Sequence, residues 1–153
     1  MCSRNWITHF LVMATLGMFV LATAGCGEKK YPNEKQVFKI KGFVTVDGKP
    51  VPEIQVGLHD KAGPDNKQPT FPQGFTDANG NIRISTYEEG DGAPAGDYSV
   101  TFAWQELNLM SRSYGGPDKL NKKYSDPKNT PFSITLGEGQ PNDLGNVELT
   151  TKK

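Results

Sequence analysis

The chain of 153 residues balances 17 basic against 17 acidic side chains, so it offers no basic field for nucleic acid. It also contains no basic amphipathic stretch that would lie on anionic lipid. Its 17 Gly and 11 Pro, with long helical periodicity absent, favour short strands joined by turns over a helical bundle.

The first nine residues carry Arg4 and no acid, and an apolar run then leads to Leu21-Ala22-Thr23-Ala24-Gly25-Cys26. A positive start, an apolar centre and small residues are the order of an export signal. Counted from Trp6 to Gly25 the run also just reaches the ~20 residues of a spanning helix, so an uncleaved anchor is the alternative. Ala24-Gly25-Cys26 resembles the bacterial lipoprotein signal, with Thr23 where that family prefers leucine. The resemblance implies cleavage between Gly25 and Cys26 and acylation of Cys26. Diacylglycerol plus an amide-linked chain (palmitate or similar) would hold the protein stably on a membrane. Gly27 stands where an aspartate would retain such proteins at the inner membrane, which favours the outer one. Cys2 would leave with the signal, so the mature chain holds one cysteine, no internal disulfide, and 16 basic against 17 acidic residues. A lone cysteine in an exported protein needs a reason, and lipidation supplies it. The expected organisation is a signal peptide over 1–25, a polar Pro-containing tether over 26–36 and one β domain over 37–153.

Within that domain, 37–46 alternates, with Phe38, Ile40, Val44 and Val46 on one face, and reads as a half-buried strand. Asp47-Gly48 suits the positive φ of a tight hairpin. The strand expected over 53–59 turns Ile54, Val56 and Leu58 inward, and 60–72 reads as a loop. Residues 74–76 and 81–86 form a second hairpin around Asp77-Ala-Asn-Gly80, with Ile82 and Ile84 inward. After a loop over 87–95, the run 96–104 is the clearest strand, with Tyr98, Val100, Phe102 and Trp104 on one face. A long connection, 105–130, holds Gly115-Gly116-Pro117 and one expected helical turn near 118–124 capped by Asp118. Connections of that length are often functional or mobile. Strands over 132–136 and 146–150 close the domain. Seven short alternating strands predict an all-β antiparallel β-sandwich.

Three segments carry a second resemblance: Gly42-Phe-Val-Thr-Val-Asp-Gly-Lys-Pro-Val51, Thr76-Asp-Ala-Asn-Gly80 and Ala95-Gly-Asp-Tyr-Ser-Val-Thr101. They look like the carboxypeptidase regulatory-like domain, which implies a transthyretin-like or Ig-like sandwich. These motifs mark a fold and not an activity. Small bacterial lipoproteins with this domain resemble the chain throughout, including Lys123-Tyr-Ser-Asp-Pro127.

Candidate chemistry is sparse. Asp77, Asn79 and Asn81 with Glu88 at the twelfth place evoke a calcium loop, but an EF-hand needs glycine at the sixth place and Ile82 stands there, with Arg83 next. The hairpin reading is preferred, and Glu88, Glu89 and Asp91 read as a solvated acidic loop. His59 is the only mature histidine and cannot form a zinc site alone; it reads as a polar strand end. No Ser-His-Asp pattern, carboxylate pair or glycine-rich phosphate loop stands out, so no catalytic residue, metal or cofactor is expected. Trp104 reads as core. Tyr114 and Tyr124, in the long connection, are the candidate ligand contacts. The sequence therefore predicts a lipid-anchored, non-enzymatic structural or interaction module on the extracytoplasmic face of a bacterial envelope. Its partners would be the membrane through Cys26 and an envelope protein or glycan. The alternative is a carbohydrate- or small-ligand-binding module that uses the 105–130 connection.

Overall fold

Alternation of β-branched and aromatic residues with polar ones builds strands that bury one face each. The computed structural model describes residues 33–152; Gly25, Cys26 and the rest of the expected signal and anchor lie outside the described residues. The described chain is all-β, without helix. Its strands are β1 (Val37–Phe38), β2 (Lys41–Val46), β3 (Lys49–Pro50), β4 (Gln55–Asp60), β5 (Gln73–Thr76) and β6 (Ile82–Ser85). They continue as β7 (Ala93–Pro94), β8 (Gly96–Ala103), β9 (Glu106–Asn108), β10 (Ser113–Gly115), β11 (Ser133–Leu136) and β12 (Asp143–Leu149).

A five-stranded antiparallel sheet runs β11-β8-β4-β5-β6, and a three-stranded sheet runs β12-β2-β3. Val44, Val46, Val147 and Leu149 of the smaller sheet join Val56, Ile84, Val100, Phe102 and Leu136 of the larger, and Ile54 just before β4, in one buried cluster. That arrangement is consistent with a β-sandwich. At one corner the sheets nearly merge: Phe43 bridges Asn81, and the Val44 N–H donates to the Gly80 carbonyl at 2.8 Å.

Each of the seven expected strand regions contains strand, but four details differ. The sheets are not antiparallel throughout, because β12 pairs with β2 in parallel. The chain returns by a long route that does not constrain direction, and this register puts Val147 and Leu149 beside Val44 and Val46. The first expected strand is broken at Lys39–Ile40, where β1 leaves to pair with β7. The expected helical turn is a chain of turns, because Asn121 and Lys122 adopt φ of 57° and 60°, in the left-handed region that ends a right-handed helix. Asp118 still caps: its carboxylate accepts from the N–H of Trp104, Leu120 and Lys122. Finally, the end of the expected tether is engaged. Lys35 Nζ lies 2.8 Å from Asp65 and its N–H donates to the Tyr87 hydroxyl.

Two resemblance segments have clear physical roles. Asp47 and Gly48 both take positive φ, 49° and 81°, as a tight hairpin between β2 and β3 requires. Thr76 is buried; its hydroxyl donates to the Val51 carbonyl (2.7 Å) and accepts from the Ile54 N–H (3.0 Å), clamping the entry to β4 against β5. The next residue, Asp77, closes the following turn by accepting from the N–H of Asn79 and Asn81, each at 2.9 Å.

Candidate functional site

The outward faces of the inner strands make the site. Register places Arg83, Phe75, Gln55 and Ala103 in one cross-strand row, and Ser85, Gln73, Gly57 and Thr101 in the next. Gly57 leaves a gap in the second row. A Cβ there would meet Thr101 Oγ1 at 2.8 Å and His59 Nε2 at 3.2 Å, so its absence makes room for a hydrogen bond beneath the surface. That bond joins His59 Nε2 and Thr101 Oγ1 at 3.0 Å, and Thr101 also donates to the Gly57 carbonyl.

Over this floor stands the β9–β10 hairpin, which belongs to the long connection. Register pairs Tyr114 with Leu107, and the Tyr114 ring stacks on Phe75 with centroids 4.8 Å apart and planes inclined by 28°. Burial, with a smaller contribution from the charge of Glu53, raises the Tyr114 phenol above its ordinary range. The hairpin base is held by Lys119, whose ammonium lies 3.1 Å from Glu106 and 4.8 Å from the centre of the Trp104 ring. Floor and hairpin enclose a cavity of about 440 Å³ that includes Gln55, Gly57, His59, Gln73, Phe75, Thr101 and Tyr114 in its lining. That volume lies in the range of small-molecule sites. A second cavity, also of about 440 Å³, shares Gln73, Gly74 and Phe75 with the first and adds Asp77, Arg83 and Glu89.

Comparison with protein-family models, curated proteins and solved structures finds no match.

The two tyrosines expected to contact a ligand part company. Tyr114 lines the cavity. Tyr124 is only 7% exposed and packs with its ring 5.8 Å from that of Phe132; together with the fully buried Leu120 it anchors the connection to the core. Tyr124 is corrected from a ligand contact to a core residue. Trp104 is half-buried against the core. Gln55, Gly57, Gln73, Phe75 and Thr101 were not singled out from sequence. Strand alternation places them outward, but only pairing shows that they share a patch.

The acidic side chains act locally. Asn81 and nearby backbone N–H groups, helped by Arg83, lower the Asp77 carboxyl below its usual range. Burial raises the Asp91 carboxyl, but N–H groups of Thr86, Glu88 and Tyr87 outweigh it and leave the net shift downward. Among the described residues no three His, Cys, Asp or Glu side chains converge as a metal site would require. His59 is paired to Thr101, while the Asp60 carboxylate accepts from the Ala62 N–H. A histidine oriented by a carboxylate toward a nucleophile is not formed there.

Proposed function

We propose that this chain is a non-enzymatic, envelope-anchored binding module, tethered by acylated Cys26, whose interaction surface is the cavity between the five-stranded sheet and the β9–β10 hairpin. The observation that carries the binding part is the pair of glutamines in that cavity. The side-chain amides of Gln55 and Gln73 line it and have no hydrogen-bond partner among the described residues. Exposed polar groups around a preformed hollow are what a ligand would engage. Tyr114, supplied by the long connection, favours the ligand-binding form of the reading over a purely structural one.

The fold family is part of the same proposal. Tyr98 Oη donates to the Pro94 carbonyl at 3.0 Å, four residues upstream, which resembles the tyrosine corner of Greek-key sandwiches. With the Thr76 clamp and the Asp47-Gly48 hairpin, it supports a transthyretin-like or Ig-like sandwich of the carboxypeptidase regulatory-like kind.

Anchoring rests on the sequence around Cys26 and on the outer-membrane preference read from Gly27. Replacing Cys26 by Ser should abolish metabolic incorporation of a clickable palmitate analogue. It should also release the domain to the soluble extracytoplasmic fraction or leave it unprocessed. Membrane fractionation that is indifferent to Cys26→Ser would overturn the tether.

A further inference from the structure

We infer that the cavity beneath Tyr114 takes a neutral oligosaccharide, a reading that rests on this cavity being the binding surface but not on the anchor. Although 22% of the chain is charged, no Asp, Glu, Lys or Arg among the described residues lines this cavity. A charged ligand would lose its hydration there and meet no carboxylate, ammonium or guanidinium in return, only the His59 imidazole already bonded to Thr101. An apolar ligand would bury the amides of Gln55 and Gln73 unpaired, at the cost of desolvating each one. A peptide adding as a strand is excluded from the floor, because β4 and β8 each have neighbours on both sides and no free ladder.

What remains is a ligand with neutral hydroxyls at its rim and an apolar C–H face. A pyranose ring has both. Glutamine amides offer donor and acceptor side by side to neighbouring hydroxyls, while the rings of Phe75 and Tyr114 offer flat surfaces to the C–H face. Gln73 and Phe75 also border the second cavity, where Asp77 and Glu89 against Arg83 disfavour an anion, so the surface continues beyond one ring and suits a neutral chain of sugars over a single one.

The test uses full-length protein in a zwitterionic, non-glycosidic detergent. It is titrated by calorimetry with neutral hexasaccharides: β-1,4-glucan, β-1,3-glucan, α-1,4-glucan and β-1,4-linked N-acetylglucosamine. Hexagalacturonate serves as the anionic control. At least one neutral chain should bind, with saturation transfer strongest at ring C–H protons. Tyr114→Ala and Gln73→Ala should each weaken it about tenfold (about 1.4 kcal/mol), while Glu138→Gln, on a distant exposed turn, leaves it unchanged. Absence of binding by all four neutral chains, binding indifferent to both variants, or preference for hexagalacturonate overturns the inference. Photo-crosslinking in intact cells separates this from failure of the underlying reading. Capture of an envelope protein from Gln73 overturns the glycan and leaves the cavity as the binding surface. Capture only from the hairpin tip at Leu109 overturns the cavity itself.

Discussion

At the scale of single residues, Tyr98 shows how one hydroxyl can hold a corner. Its ring is buried at 2% exposure and its phenol donates to Pro94. Burial, then the nearby charge of Asp60 and the Tyr87 phenol, pushes its pKa up to about 12. An acid whose folded pKa is raised contributes stability that is full below its unfolded value of about 10 and is lost as pH rises through about 12. Tyr98→Phe should therefore cost about 0.5–1.5 kcal/mol near neutrality through the lost hydrogen bond, and it should flatten the alkaline limb of stability. Denaturant melts at neutral pH and above pH ~10 check both; an alkaline limb that survives the substitution would show that another group controls it. Thr76 acts in the same local way, and both residues fall within motifs readable in the sequence. Tyr114 and Tyr124 were not separable there, since they share one connection and only packing distinguishes a cavity wall from a core side chain.

For the binding role proposed above, the element that matters most is the β9–β10 hairpin. Leu107 is 37% exposed, Leu109 81% and Met110 96%, so the hairpin contributes none of the buried core. Its base relies on exposed contacts such as Lys119 with Glu106, and such ion pairs contribute about 0–1 kcal/mol. Replacing residues 106–115 by a short Gly-Ser linker should leave the far-ultraviolet spectrum largely intact and cost about 1–2 kcal/mol of stability, from the lost ion pair and the lost Tyr114–Phe75 stack together. It should also remove the cavity wall and with it the proposed glycan binding. Retained binding in that variant would place the ligand elsewhere. The hairpin escaped notice in the sequence because Glu106–Asn108 and Ser113–Gly115 are three residues each, too short to show alternation against a Gly- and Pro-rich background.

For the whole molecule, the parallel pairing of β12 with β2 ties the two ends of the domain together. Val147 and Leu149, 2% and 3% exposed, fill the core from the last strand. Burying such side chains stabilises by about 1.5–3 kcal/mol each, out of a typical total of about 5–15 kcal/mol. A chain ending at Gly139 should therefore lose its cooperative unfolding transition, whereas one ending at Thr151 should keep it. Circular dichroism melts of the two would decide, and a stable, cooperative 139-residue chain would refute the role given to β12. The Asp47 carboxylate, which accepts from the Thr150 and Thr151 hydroxyls at 2.8 and 2.6 Å, adds a polar tie at the same closure. The sequence by itself determined the β class, the inward residues Val44, Val46, Ile54, Val56, Leu58, Ile82, Ile84, Tyr98, Val100 and Phe102, though not Phe38, and the tight turns, because alternation and positive-φ residues are local properties. It also carried the Cys26 motif, which lies outside the described residues. Only the tertiary structure decided that the last strand runs parallel to β2, that Tyr124 is core, and that Gln55, Gln73, Phe75 and Tyr114 meet. Those facts depend on which strands become neighbours, and neighbourhood is settled by burying all inward faces at once rather than by any single stretch of chain.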